Sequence, residues 1–145
     1  MESEAIRKAR AAKQAATALS LATSEQKNQA LSYIADGLQR HCADILQANA
    51  QDLERAEKNG MAPAMLDRLR LTEARVADMA EGVRQLMELS DPVGTVLDEW
   101  TRPNGLSIQK VTVPLGVICI IFESRPNVTV DAASLCIKSG NATVL

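Results

Sequence analysis

Five consecutive residues of this 145-residue chain bring reactive groups together: Glu123, Ser124, Arg125, Pro126 and Asn127. They supply a carboxylate, a hydroxyl, a guanidinium and a carboxamide, and proline is the one apolar side chain among them. An apolar run rich in β-branched residues, Val117 to Phe122, precedes them, and a segment of helical spacing, Val128 to Lys138, follows. Such a turn lies at the carboxyl end of a strand and the N-terminus of a helix. Free backbone N–H groups and the helix dipole favour anions there. Arg125 can hold a phosphate through two parallel hydrogen bonds. It can equally close a salt bridge to Glu123 or Asp131 that only fixes the turn, and the sequence leaves both open. Asn127 suits a helix cap, and Glu123 is by default a surface carboxylate.

The remaining reactive side chains point elsewhere. Cys119 sits within the apolar run and Cys136 between Leu135 and Ile137, so both read as core fillers. His41 and Cys42 are adjacent, and neighbouring side chains on a helix diverge, so they form no catalytic pair and mark the end of a helix. No His, Cys and Asp spacing suits a metal, and neither a G-x-G-x-x-G nor a P-loop glycine pattern occurs. Hydrophobic residues make up 46% and charged ones 23%, with a net charge of -2, which offers no basic face for nucleic acid. No apolar stretch approaches the ~20 residues of a membrane span, and the start lacks an apolar signal core. Three cysteines without framework spacing point to a reducing cytoplasm.

The elements that must position the turn follow from periodicity. Pro114 and Gly116 lead into Val117–Phe122, a strand expected to be buried on both faces. The helix after it offers Ala132, Leu135 and Cys136 as its core stripe. Lys138 lies in its last turn, where a cation meets the dipole, and Gly140 suits the left-handed position that ends it. Ala142 to Leu145 begins a second strand, giving a βαβ unit with parallel strands and a right-handed crossover.

Upstream, residues 3–89 are helical in pattern. Ser3 to Leu21 is alanine-rich. Thr23 opens a second helix with Gln26 completing a capping box and Leu31, Ile34, Ala35 and Leu38 inward. A third runs from Ala43 to Lys58 with Ile45, Leu46, Leu53 and Ala56 inward, and Asn59-Gly60 stops it. Pro63 begins a short fourth helix. Thr72 caps a fifth, with Val76, Met79, Ala80, Val83, Leu86 and Met87 at helical spacing, and Asp91-Pro92 ends it. Residues 94–113 form two strands around Arg102-Pro103-Asn104-Gly105, a hairpin signal. The opposite parity of Leu106 and Ile108 against Val111 and Val113 predicts a bulge near Gln109-Lys110. The chain stops inside a strand, which predicts an N-terminal piece of a longer protein.

The stretch VPLGVICIIFESRPNVTVDAASLCIKSGNATVL closely resembles the γ-glutamyl phosphate reductases, a family of the aldehyde dehydrogenase superfamily. The specific part is ESRPNVTVDAASLCIKSGNA, and the likeness continues upstream in LQANAQDLERAEKNGM, in MLDRLRLTEARVADMAEGVRQL and in DPVG. The resemblance implies an α/β fold: a helical N-terminal layer (3–89), a hairpin arm (94–113) and the first βαβ unit (117–145) of a Rossmann-like parallel sheet. Together these would be the N-terminal part of a dinucleotide-binding domain, with the catalytic domain and its nucleophilic cysteine beyond Leu145. It further implies NADPH-dependent reduction of L-glutamyl 5-phosphate to L-glutamate 5-semialdehyde in proline biosynthesis. A homo-oligomer built through the hairpin and contact with the upstream glutamate kinase are the partners it implies. An internal hairpin is the competing view of residues 94–113. Residues 123–127 would bind cofactor or substrate, with Asn127 as a candidate oxyanion donor and no catalytic nucleophile in this chain. The usual aldehyde dehydrogenase turn has an aromatic residue and Asn before its proline. Here Arg125 precedes Pro126 and Asn127 follows it, which speaks against a general NAD-dependent aldehyde dehydrogenase. A non-catalytic helical interaction module is the reading from a different class.

Overall fold

A computed structural model describes residues 3–145. Five helices come first: α1 (Glu4–Ser20), α2 (Ser24–Arg40), α3 (Cys42–Lys58), α4 (Pro63–Leu69) and α5 (Glu73–Glu88). The strands β1 (Val96–Thr101) and β2 (Ser107–Val111) follow, then β3 (Val117–Cys119), α6 (Pro126–Lys138) and β4 (Ala142–Val144). Helix starts are fixed by side-chain oxygens. Ser3, Thr23 and Thr72 accept from the backbone N–H of Ile6, Gln26 and Arg75, and Thr23 and Gln26 form the expected capping box. Pro63 occupies the first turn of α4, where its missing N–H costs nothing.

The core forms where α2 and α5 pack. Leu31 and Ala35 meet Ala80 and Val83, and Val130 and Ile137 of α6 close over them. The small side chains of Ala35 and Ala80 let the two helices approach closely. Helix α1 lies against β3 and β4. Strands β3 and β4 are parallel, pairing Val117 with Ala142, Ile118 with Thr143 and Cys119 with Val144. At Gly140 the backbone is left-handed (φ 72°). A Cβ there would also meet Pro114 Cγ at 2.9 Å.

Polar groups organise the edge of this core. Lys27, only 2% exposed, donates to Asp91 Oδ2 at 2.6 Å and to Oδ1 at 2.8 Å. The Ser24 hydroxyl and the Val93 N–H also donate to Asp91. At the next residue, Asn28 Oδ1 accepts from Lys138 Nζ at 2.9 Å, and both side chains donate to the Met87 carbonyl, each at 3.3 Å.

Several sequence expectations change. Strand β3 is three residues long, not six, and its residues are exposed or half-exposed. Beyond it, Ile120 N–H still bonds Val144 O, but Ile121 is 94% exposed. Cys119 is therefore exposed, while Cys136 is buried as expected. Leu135 faces outward, and the inward positions of α6 are Ala132, Ser134, Cys136 and Lys138. Lys138 lies in the last turn of α6 as expected, and its ammonium also donates to the Met87 carbonyl near the end of α5. The hairpin bulge falls in the first strand, between Val96 and Asp98, which pair with Val111 and Lys110. Placing the extra residue in β1 restores the parity equally well.

Burial alone would raise the Asp91 carboxyl. The hydrogen bonds from Lys27, Ser24 and the Val93 N–H, with the Lys27 charge, outweigh it and hold the carboxyl at about 2. A carboxyl lowered on folding stabilises fully above its unfolded value and loses that contribution as pH falls through its folded value. After allowance for solvent screening it contributes about 1–2 kcal/mol, present above about pH 4 and lost between about pH 4 and 2. Asp91→Asn is expected to cost about 2–3 kcal/mol at pH 7, because the Lys27 ammonium is left buried without a counter-charge. Denaturant titrations across pH should show the difference from the unsubstituted chain shrinking below about pH 4.

Candidate active site

The turn into α6 has an unusual backbone. Ser124 adopts a left-handed conformation (φ 52°), which is uncommon for a residue with a side chain. Arg125 takes the cap position with φ −138° and ψ 83°, and its side chain makes no capping bond. Pro126 is the first helical residue, and no acidic residue lies in the first turn. Asn127 is thus inside the helix and not its cap. Its Nδ2 donates to Asp131 Oδ2 at 3.1 Å, one turn along. Among the described residues no ion pair joins Arg125 to Glu123 or Asp131, so the turn-fixing salt bridge does not form. The start of α6 keeps its N–H groups free of side-chain caps and has a free guanidinium beside it.

Arg125, Asn127 and Asp131 form one wall of a cleft of about 480 Å³. The α4–α5 junction gives the opposite wall with Asp67, Arg68, Arg70 and Leu71, and the first turns of α5 give Arg75, Asp78 and Met79. The two helices share this cleft at their starts, and at their other ends Met87 O accepts from Lys138. They therefore run side by side in the same direction, and the positive ends of both dipoles face the cleft.

Two side chains grip the junction. Asn49 of α3, 6% exposed, mimics a peptide group. Its Nδ2 donates to Leu69 O at 2.8 Å and its Oδ1 accepts from Leu71 N–H at 2.8 Å. Arg75 Nη1 donates to Asp67 O and to Arg70 O, both at 2.6 Å, and its Nη2 to Asp67 Oδ1 at 3.4 Å. Arg68 Nη1 turns back to Met65 Sδ at 3.8 Å. Of the charges lining the cleft, Arg70, Arg125 and Asp78 have no hydrogen-bond or ion-pair partner among the described residues. Among those residues no group of three or more His, Cys, Asp or Glu could hold a metal ion. No helix among them is long and apolar enough to cross a membrane.

No family model matches the chain. It is 52% identical over 143 residues to the γ-glutamyl phosphate reductase of Anoxybacillus flavithermus, covering 99% of this chain and 35% of that protein. To the γ-glutamyl phosphate reductase of Brucella suis it is 59% identical over 136 residues, covering 94% of this chain and 32% of the relative. The crystal structure of the Thermotoga maritima γ-glutamyl phosphate reductase superposes with a TM-score of 0.95 at 42% identity, over 97% of this chain and 34% of the other. The chain is homologous to the N-terminal third of γ-glutamyl phosphate reductases. The yeast γ-glutamyl phosphate reductase from Saccharomyces cerevisiae agrees, with a TM-score of 0.91 at 36% identity over 99% of this chain and 36% of that structure. The chain thus spans about a third of the length of the curated relatives it matches.

The structure brings only Arg125 and Asn127 of the five expected site residues into the cleft. Glu123 is exposed, and Ser124 and Pro126 are half-buried without lining it. Sequence reasoning missed Arg68, Arg70 and Asp78, which look like ordinary surface charges. It also missed Asn49, although its place four residues before Leu53 on the inward stripe of α3 was a usable signal.

Asn49→Ala is expected to leave the Leu71 N–H and the Leu69 carbonyl without partners. We expect a loss of about 2–3 kcal/mol, read as a fall of roughly 6–12 °C in melting temperature.

Proposed function

We propose that this chain is the N-terminal part of the dinucleotide-binding domain of a γ-glutamyl phosphate reductase. The complete protein would reduce L-glutamyl 5-phosphate to L-glutamate 5-semialdehyde with NADPH and release phosphate, in cytoplasmic L-proline biosynthesis. The observation that carries this reading is the free Arg125 guanidinium beside the uncapped, acid-free start of α6. That placement suits an anion: charge-assisted hydrogen bonds and two dipole ends converge on one cleft.

The donor chemistry at the turn also fits a phosphate-bearing cofactor, with the guanidinium, the Ser124 hydroxyl and free N–H groups close together. The nicotinamide cofactor, when bound, supplies the hydride. The preference for NADPH rests on the family likeness alone. Also on that likeness, a cysteine thiolate outside this chain displaces phosphate to form a thioester. The role left for this chain is to hold the substrate. Arg125 neutralises the phosphate oxygens as they leave, and the junction of α4 and α5 closes the far side of the cleft. The hairpin is read as an arm that packs on a neighbouring subunit. Its exposed Leu97, Trp100, Leu106 and Val111 support this, since an isolated two-stranded hairpin is only marginally stable.

In the complete reductase, Arg125→Ala is expected to lower kcat/KM by about ten- to a hundred-fold, from the loss of roughly 1.5–3 kcal/mol of charged hydrogen bonding. The melting temperature should barely move, and Arg125→Lys should rescue in part, since lysine cannot bond in bidentate fashion. A sharp fall in melting temperature with activity per molecule intact would reject the ligand role. The 145 residues alone are expected to show no phosphate-dependent oxidation of glutamate semialdehyde above background.

A further inference from the structure

We infer that Arg70 and Asp78 recognise the amino-acid end of the substrate, across the cleft from an Arg125 that takes its phosphate. The inference rests on the functional reading above and assigns specificity within it. Three charges in the cleft lack partners among the described residues: the guanidiniums of Arg70 and Arg125 and the carboxylate of Asp78. The other lining charges are engaged. Arg75 holds the junction carbonyls, Asp67 accepts from Arg75, Asp131 accepts from Asn127, and Arg68 turns to Met65. Two guanidiniums and one carboxylate thus make no hydrogen bond or ion pair among the described residues, while Arg68 and Asp131 contact only neutral groups.

A γ-acyl phosphate of an α-amino acid presents the complement: a phosphate and a carboxylate for the guanidiniums, and an ammonium for the carboxylate. The volume of about 480 Å³ suits a ligand of that size. The junction is also held unusually firmly for a short loop. Arg75 fixes the Arg70 carbonyl, and Asn49 fixes the groups on either side, Leu69 O and Leu71 N–H. Arg70 is therefore presented from a fixed backbone, which lowers the cost of ordering it around a ligand. Arg125 lies at the start of α6, so phosphate takes that end and the amino-acid group takes the junction.

The test uses the complete reductase in the oxidising direction, with L-glutamate 5-semialdehyde, NADP⁺ and inorganic phosphate, measuring KM for each substrate separately. Arg70→Ala and Asp78→Asn are each expected to raise KM for the semialdehyde about tenfold or more while leaving that for phosphate within about threefold. Arg125→Ala should do the reverse. Asp78→Asn should also weaken the preference for the semialdehyde over an aldehyde of equal length that lacks the amino group. Melting temperatures check folding, and Arg70→Gln, which keeps the stem, is measured in place of any Arg70→Ala protein that fails to fold. An unchanged semialdehyde KM, or an equal rise in both KM values, overturns the inference while the functional reading stands. Absence of phosphate-dependent turnover in the unsubstituted reductase overturns both.

Discussion

The structure depends on a buried ammonium and its carboxylate. Lys27 sits on the inward stripe of α2, one turn before Leu31, and its charge has no access to water. An unpaired charge in that position would cost several kcal/mol, so Asp91 must stand where it does. That requirement sets how the chain leaves α5, because Asp91 also accepts from the Val93 N–H. The next residue of α2, Asn28, ties the far end of α6 to the end of α5 through Lys138 and Met87. With those ends bound, α5 and α6 can only run alongside each other. Their starts then meet as the two walls of one cleft.

The cleft's other wall depends on a second polar device. A short helix followed by a turn would ordinarily be a mobile surface feature. Here Asn49 and Arg75 each make two hydrogen bonds to backbone groups between Asp67 and Leu71. Asn49 does not line the cleft, and the Arg75 guanidinium at its edge is bonded to Asp67 and Arg70. The Arg70 side chain on the turn is left free, while the backbone beneath it is fixed.

Much of this fold was legible in the sequence. Helix caps at Thr23 and Thr72, the stop at Gly60 and the apolar stripes of α2 and α5 are local signals, and each appears where expected. The parallel pairing of β3 and β4 was legible too. What was not legible is the use of polar residues inside. Lys27, Asn49 and Lys138 fall on inward stripes, but a search for apolar periodicity passes over them. The apolar run at 117–122 reports the burial that segment is suited to, while only Val117–Cys119 pair with β4. At the site, the turn at 123–127 could be located because strand, turn and helix are contiguous. Arg70 and Asp78 reach the same cleft through tertiary packing that no local pattern encodes.

The bond from Lys138 to Asn28 joins residues 110 positions apart, and Lys138 lies 51 positions after Met87. During synthesis, at roughly 5–20 residues per second, α2 and α5 are available to pair some 3–10 s before the ammonium that completes their polar edge is made. For that interval Asn28 and the Met87 carbonyl face water or a chaperone rather than α6. The nascent protein thus passes through a stage in which its apolar core can be assembled but the cleft between α5 and α6 cannot, because one wall has not yet left the ribosome.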